Sequence, residues 1–391
     1  MWRFWKQGMV MLALAAAMAL WCLSSLAAPG GGGTSRYTLV PLDTRPGYQW
    51  SGVNDINESG DAVGWLEDAD GSAEAVAWEV TLTGGAVSVA QYALPLPSDQ
   101  VVVGSDALGV NDFGEIVGNI TVVGVDGSTL RTAVYWQDAA SPPVTLAPLP
   151  GHRHSMATSI NNGGLVVGVS AGAIPDTNRH AVAWKIGTPG SAEAEPLDLG
   201  TLAGATYSEA ADVNNADALG IAQVVGTSGD KDFFLRAVLW EIDVITFAVI
   251  RGPVDLGFLR NERPISQGDA INDQGTTCGD SGQIAFREAD GGTMQQLVQF
   301  KPGQTYAYGI NNHNEIVGHN RHYDRRTGVF LGTYGVLWQA DGKVVNLDSF
   351  IGSSGWYHIH DGKAINESSW IVGHGAIGAP GESRALVIVP K

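Results

Sequence analysis

The sequence predicts an all-β fold, a seven-bladed β-propeller of four-stranded blades, on three observations. Glycine accounts for 52 of the 391 residues, about twice its usual share, which indicates many tight turns. An Ile/Val-Asn pair followed by glycine recurs seven times along the chain. Each copy also contains short β-branched, apolar segments, and four-stranded repeats of about 40–50 residues are typical of propellers.

The core of the repeat is an Asn with a Gly seven residues later. The seven copies are centred on Asn57, Asn111, Asn161, Asn214, Asn272, Asn311 and Asn366, with spacings of 54, 50, 53, 58, 39 and 55 residues. In the fourth copy five extra residues precede the Gly, which is Gly226. This regularity predicts one supersecondary unit per copy.

An Asn-x-x-Gly turn is predicted between the first two strands of each unit, as from Asn57 to Gly60. Asn can bond to the backbone two residues on, and the fourth position favours Gly because it requires a positive φ. In copies six and seven this position holds Asn314 and Ser369. Asn tolerates a left-handed backbone, whereas Ser is not an obvious substitute.

Other positions of the repeat are also constant. Six residues before the Asn lie Ser51, Ser105, Ser155, Ser208, Ser266, Thr305 and, as the exception, His360. An apolar stretch later in the unit ends in Trp78, Trp136, Trp184, Trp240 and Trp338 in five copies. By contrast, the connection between the second and third strands varies, and the stretch Asn320–Thr333 is predicted as a long loop. Such variation on a constant frame is typical of a binding face.

The ends of the chain predict how the ring closes. The seventh copy stops at Lys391 after its third strand, and an extra strand-like segment, Tyr37–Leu42, precedes the first copy. We expect this N-terminal strand to complete the last blade, because closure removes an exposed sheet edge. The prediction is a single domain over residues 37–391.

Residues 1–27 have the features of a secretory signal peptide. Arg3 and Lys6 precede an apolar run, and Ser25 and Ala27 provide the small residues of a cleavage site. We therefore expect a secreted or periplasmic protein, with residues 28–36 as a flexible lead-in. Cleavage would leave Cys278 as the only cysteine, so no intrachain disulfide is expected.

The net negative charge of the chain limits the kinds of partner that it can bind. The net charge is −18, and loss of the signal would bring it near −20, with 20 basic and 40 acidic residues. Such a chain repels nucleic acid and anionic lipid. We expect no nucleic-acid partner, no membrane insertion after cleavage, and a monomer.

The repeats resemble the HAF-type extracellular repeat family, whose units have an I-N-x-x-G-x-x-V-G core and an H-A-F-x-W strand. The segment His180–Trp184 is the nearest match to the second motif, and Leu199-Gly200 with Leu202 and Gly204 resembles the linking segment. The likeness covers nearly the whole chain after the signal. It implies a propeller-like exported protein and implies no catalytic role.

Candidate ligand-binding residues come from the segments that enter each unit and from the diverse position five residues before the Asn. They are Trp50, Asp106, His154, Tyr207, Glu209, Tyr306, Trp356, His360 and Asp361. They predict a non-catalytic module that binds or scaffolds an extracellular glycan or protein. The alternative interpretation for these residues is that they are ordinary rim residues with no ligand.

Catalytic signatures are missing. There is no Gly-x-Ser-x-Gly elbow, phosphate loop or His-Glu-x-x-His, so no catalytic residue and no cofactor is assigned. A hydrolase or lyase acting on polysaccharide stays open as the alternative, with Asp106, Glu209, His360 and Asp361 as candidate acid/base groups. The histidine spacings match no metal motif, so no metal is expected.

Overall fold

The structure is a computed structural model that describes residues 36–42, 45–124, 127–172, 179–187, 191–192, 195–230, 234–260, 264–289, 292–352, 354–377 and 383–391. The predicted signal peptide lies outside the described residues, as does the lead-in up to residue 35. Among the residues described, no helix is long and apolar enough to cross a bilayer.

The described residues form an all-β chain. The first strands are β1 (Tyr37–Pro41), β2 (Tyr48–Ile56), β3 (Asp61–Asp68), β4 (Ala73–Thr83), β5 (Ala86–Ala93), β6 (Val102–Val110), β7 (Ile116–Val123), β8 (Thr129–Trp136), β9 (Val144–Leu146), β10 (His154–Ile160), β11 (Leu165–Ala171), β12 (Arg179–Gly187), β13 (Ser191–Ala192) and β14 (Leu197–Asp198). The others are β15 (Tyr207–Val213), β16 (Ile221–Gly229), β17 (Arg236–Asp243), β18 (Ala248–Asp255), β19 (Ser266–Ile271), β20 (Thr276–Ser281), β21 (Ile284–Ala289), β22 (Gln295–Gln296), β23 (Gly303–Ile310), β24 (Ile316–Tyr323), β25 (Phe330–Trp338), β26 (Val344–Asn346), β27 (Trp356–Ile365), β28 (Ile371–Ile377) and β29 (Ser383–Pro390). A short 3₁₀ helix spans Leu347–Phe350.

These strands make a β-propeller. Five sheets are four-stranded blades with the orders β2-β3-β4-β5, β6-β7-β8-β9, β19-β20-β21-β22, β23-β24-β25-β26 and β1-β29-β28-β27. The sixth sheet has nine strands and contains two antiparallel groups, β10-β11-β12-β14 and β15-β16-β17-β18. These groups meet through a single parallel pair, Arg179 with Tyr207. Strand β1 pairs antiparallel with β29 from Tyr37–Pro390 to Pro41–Leu386.

The Asn-x-x-Gly turns form as predicted. The amide of Gly60 donates to the carbonyl oxygen of Asn57, and Gly60 has a φ of 89°. Asn314 and Ser369 hold the same left-handed conformation, with φ values of 58° and 57°. Ser369 adopts it although serine was not an obvious substitute, and its hydroxyl donates to Glu315 across 2.6 Å.

The seven Asn side chains link each copy to the next. The Nδ2 group of Asn57 donates to the carbonyl oxygen of Asn111, and every later Asn repeats this bond. The series ends with Asn366, which donates to the carbonyl oxygen of Asn57 across 3.0 Å. A carbonyl oxygen has two lone pairs, and the Asn side chain supplies a donor beside the turn amide, as at Asn57, which is consistent with the recurrence of Asn at this position.

Glycine and serine have equally specific positions in the frame. Strands one and two of each unit contact so closely that a Cβ on Gly118 would lie 2.0 Å from the carbonyl oxygen of Asp106. The Ser or Thr six residues before the Asn accepts a backbone amide from the preceding unit, as Ser155 does from Ala133 at 3.0 Å. The five Trp side chains are buried between units, at most 1 % exposed.

One predicted loop is shorter than expected. The stretch Asn320–Thr333 is mostly strand, because β24 continues to Tyr323 and β25 begins at Phe330. The turn between them is stabilised by Asp324, whose backbone amide donates to Val329 and whose carboxylate accepts from Thr327. The prediction of a long loop there was wrong, because the many polar residues of this hairpin do not show the apolar pattern by which strands are recognised in a sequence.

Candidate functional site

All nine predicted site residues lie on the first strand of a unit. Trp50 is on β2, Asp106 on β6, His154 on β10, Tyr207 and Glu209 on β15, Tyr306 on β23, and Trp356, His360 and Asp361 on β27. The ends of these strands converge on one axial cavity of about 200 Å³, which residues from all seven copies line. The first strands are therefore the innermost strands of the propeller.

Three of the nine side chains are buried. Trp356 is 5 % exposed and packs in a core cluster with Ile359 and Leu386. The sequence suggested that it was part of an entry segment, but it begins a strand. Tyr207 and His154 are 8 % and 7 % exposed. Burial raises the pKa of Tyr207 well above its usual value and lowers that of His154, which is consistent with interior positions. Trp50 is partly exposed.

The acidic members are held by cations or imidazoles from other strands. Asp106 pairs with Arg131 at 3.2 Å, and Glu209 pairs with the buried Arg179 at 2.7 Å. The carboxylate of Asp361 accepts two hydrogen bonds from His374, from its backbone amide and its Nδ1, both at 2.9 Å. Each acid thus already has a partner inside the protein.

Asp361 is kept ionised by its surroundings. Burial alone would raise its pKa, but the neighbouring His374 and Lys363 outweigh burial and hold the pKa far below its usual range. The Nε2 atom of His374 accepts the backbone amide of Val53 at 3.3 Å, so this ring connects the last unit to the first. These contacts position Asp361 and His374 and leave Asp361 poorly suited to donating a proton.

His358 and His360 lie 5.3 Å apart, measured between ring centroids. His358 contacts an acceptor with each ring nitrogen, the carboxylate of Asp348 at 2.7 Å and the carbonyl oxygen of Thr333. Burial lowers the pKa of His358, but these two acceptors outweigh burial and raise the pKa above its usual value, which favours the protonated ring. Burial and the adjacent His358 lower the pKa of His360 to about 4, so His360 is neutral near pH 7.

Beside Tyr306 the structure brings together three residues that sequence reasoning missed, namely Tyr308, His319 and Lys363. The ring centroids of Tyr306 and His319 are 4.9 Å apart, and those of Tyr308 and His319 are 5.3 Å apart. The Lys363 ammonium lies 4.2 Å from the Tyr308 ring centroid. We call Tyr306, Tyr308, His319 and Lys363 the tyrosine–lysine cluster.

Tyr308 and Lys363 occupy the same position of the repeat, three residues before the Asn. Strand pairing is irregular there in all seven copies, as between Ala307 and Gly309, so this residue is the extra one of a β-bulge. The equivalent residues are Asn54, Leu108, Thr158, Ala211, Asp269, Tyr308 and Lys363, and each is partly exposed. The diversity of this position in the sequence was a signal that could have identified the cluster.

A ring of polar side chains surrounds the axial cavity at the Asn turns. The residue after each Asn accepts the backbone amide of its counterpart in the preceding copy, as Asp112 does from Glu58 at 3.0 Å. The members are Glu58, Asp112, Asn162, Asn215, Asp273, Asn312 and Glu367. Asp55 and Asp212 also line this cavity, and burial raises the pKa of Asp55 to about 7 and also raises that of Asp212. Over the described part of the chain, no group of three or more His, Cys, Asp or Glu side chains is arranged to hold a metal.

Comparison with other proteins extends only to the fold. No protein-family model matches the sequence, and no curated protein matches it. Among similar solved structures is a streptogramin B lyase, with 10 % identity and a TM-score of 0.45 over 91 % of this chain and 98 % of that one. An ulvan lyase of polysaccharide lyase family PL25 has 9 % identity and a TM-score of 0.48 over 87 % and 94 %. A puromycin-hydrolyzing peptidase of Mycobacterium tuberculosis has 12 % identity and a TM-score of 0.47 over 86 % and 53 %.

Proposed function

We propose that the protein is an exported, non-catalytic β-propeller that binds or scaffolds an extracellular glycan or protein through its inner strands. One observation carries this proposal: the residues that hold the repeat together are constant, whereas the partly exposed residues on the inner strands differ from copy to copy. The Asn bonds repeat in every copy, whereas the bulged position holds seven different residues. A rigid scaffold with variable side chains at one place is the usual design of a binding surface.

The proposal includes seven blades and a ring closed by the N-terminal strand. Counting the nine-stranded sheet as two blades is reasonable because its two halves share one residue pair. The pairing of β1 with β29 supports closure, and so does the Asn366–Asn57 bond. Membership of the HAF-type repeat family is likewise proposed, on the basis of the repeat frame. Export is proposed on the basis of residues 1–27.

The catalytic alternative is a polysaccharide hydrolase or lyase. A general acid in such an enzyme needs a raised pKa and access to substrate. Asp106 and Glu209 are paired with Arg131 and Arg179, and the pKa of Asp361 is held low. These contacts favour the binding proposal.

The test is a thermal-shift screen of the secreted chain against neutral and acidic polysaccharides, with divalent cations and a chelator as separate arms. A ligand at a hundred times its Kd adds about 2.7 kcal/mol to the free energy of unfolding, which is a shift of a few degrees for a domain of this size. Saturable stabilisation without product formation supports binding. Accumulation of cleaved product would replace the proposal with the catalytic alternative, and silence throughout would favour a scaffold role.

A further inference from the structure

The tyrosine–lysine cluster differs from the other inner positions in its chemistry. Among the fourteen side chains that lie three and five residues before the seven Asn residues, Lys363 is the only cation, and Tyr306 and Tyr308 are the only aromatic residues. All three fall in neighbouring copies, six and seven. The structure places them together with His319, which pairs across the sheet with Tyr306.

Lys363 retains donors for a ligand. Its side chain is 26 % exposed, and its ion-pair contact to Asp361 Oδ2 is 3.8 Å long, which exceeds hydrogen-bond distance. The other oxygen of Asp361 is already occupied by His374. Asp361 therefore positions the ammonium without saturating it, and the ammonium lies over one face of the Tyr308 ring.

The cations beside Asp106 and Glu209 are held more tightly than Lys363 is. The guanidinium of Arg131 is engaged by Asp106, and that of Arg179 is engaged by Glu209 and is buried. Of these three cations, Lys363 is therefore the one best placed to contact a ligand at the inner strands. Partly exposed tyrosines beside a donor fit a sugar ring, because the ring's C–H face packs on an aromatic surface while its polar groups accept or donate hydrogen bonds.

We propose that the tyrosine–lysine cluster is the ligand subsite of this propeller and that it binds an anionic carbohydrate, with the sugar ring against Tyr306 and its acidic group on Lys363. This assignment rests on the binding function proposed above. The acidic group is a carboxylate or a sulfate, both of which accept charge-assisted hydrogen bonds from an ammonium. The net charge of −18 slows the approach of an anion, but at physiological salt that field is screened within about 8 Å.

The experiment measures binding of three probes to the full secreted chain by calorimetry: oligogalacturonate with carboxylates, dextran sulfate with sulfates, and unmodified dextran as the neutral reference. The variant Lys363→Gln removes the cation. The matched control is Lys343→Gln, which changes the same charge at an exposed hairpin where Lys343 pairs with Asp341. Tyr306→Ala and Tyr357→Ala form a second pair, since Tyr357 is 58 % exposed and lies outside the cluster.

The expected result is binding of one or both anionic probes and not of dextran, weakened about tenfold or more in Lys363→Gln and retained in Lys343→Gln. Which probe binds identifies carboxylate or sulfate as the recognised group. Tyr306→Ala should weaken binding and Tyr357→Ala should not. Lys363→Arg keeps the charge and should retain most binding, so it serves as a second readout if Lys363→Gln unfolds.

Three outcomes overturn the subsite without overturning the general proposal. One is anionic binding that is equally strong in Lys363→Gln and Tyr306→Ala, which would place the ligand elsewhere. The second is tight binding of dextran that is unchanged in Lys363→Gln, which would refute the assignment of an anionic ligand. The third is failure of all three probes to bind; the binding role itself is then decided by the polysaccharide screen, in which silence throughout would favour a scaffold role.

Discussion

Asn366 Nδ2 donates to the carbonyl oxygen of Asn57 across 3.0 Å, although 309 residues separate the two in sequence. The same side chain accepts the backbone amide of Trp370 at 2.8 Å. One Asn therefore shapes its own turn and joins the last copy to the first.

Asn366→Ala is expected to lower the free energy of unfolding by about 1–3 kcal/mol. It removes one of the two donors to the Asn57 carbonyl oxygen, which keeps the Gly60 amide, and it leaves the Trp370 backbone amide without its side-chain acceptor. Urea denaturation measures the loss. Ser59→Ala, in an exposed turn position, is the control and should be nearly neutral. Equal stability of the two variants would mean that the Asn bond contributes little to joining the first and last copies.

Gly118→Ala is expected to destabilise the protein by more than about 2 kcal/mol, because the new Cβ would lie 2.0 Å from the carbonyl oxygen of Asp106. Gly104→Ala on β6 is the matched control, since its nearest neighbour would be 3.9 Å away. That variant should be neutral or slightly stabilising, by up to about 1 kcal/mol. Comparable Tm values for both variants would contradict the close approach of β6 and β7.

Asp55 is expected to make stability depend on pH near neutrality. Burial raises its pKa to about 7, so its folded-state ionisation costs free energy that the unfolded chain does not incur. Its contribution is therefore most favourable below about pH 4 and is lost as the pH rises towards 7. Asp55→Asn mimics the protonated form and should gain stability relative to the native protein between pH 5 and about 8.

The readout for Asp55 is the difference in Tm between variant and native protein across that pH range, with exposed Asp99→Asn as the control. A difference that does not change with pH would show that the Asp55 carboxylate is not perturbed by burial.

His358 is also expected to make the protein less stable as the pH rises, but through the loss of a stabilised charged form. Burial lowers its pKa, but the bonds to Asp348 and the Thr333 carbonyl raise it further, so the net shift is upward. The stability that it provides is fully present below about pH 6.5, its unfolded value, and is lost as the pH rises through the folded value. His358→Gln should therefore cost more at pH 5.5 than at about pH 9.

Thermal melts of His358→Gln at the two pH values test this, with His313→Gln as the matched control because the His313 side chain is 64 % exposed. A cost that is the same at both pH values would mean that His358 donates through one nitrogen only.

The repeat was readable from sequence because its determinants are local. The Asn-x-x-Gly turn and the glycine at a fixed offset act within one copy of the repeat, and periodicity exposes them together with the terminal Trp. The turn conformation followed from this pattern, including the positive φ of Asn314. Ser369 reached the same φ without the intrinsic preference, because tertiary contacts such as its bond to Glu315 outweigh local propensity.

The candidate site depended on information that the sequence lacks. Position in the repeat identified Tyr306 and Asp361, but Lys363 and Tyr308 are 55 residues apart and meet only because copies six and seven pack side by side. Trp356 was expected among ligand-facing residues and is buried, since the inter-unit core covers it.

By itself, then, the sequence determined the all-β repeat, its turns and the inner positions at which residues vary. The tertiary structure alone decided which of those side chains are buried, which carboxylates are paired and which cation is left available. The physical reason is that turn chemistry acts over a few residues, whereas burial and ion pairing depend on which units pack against each other.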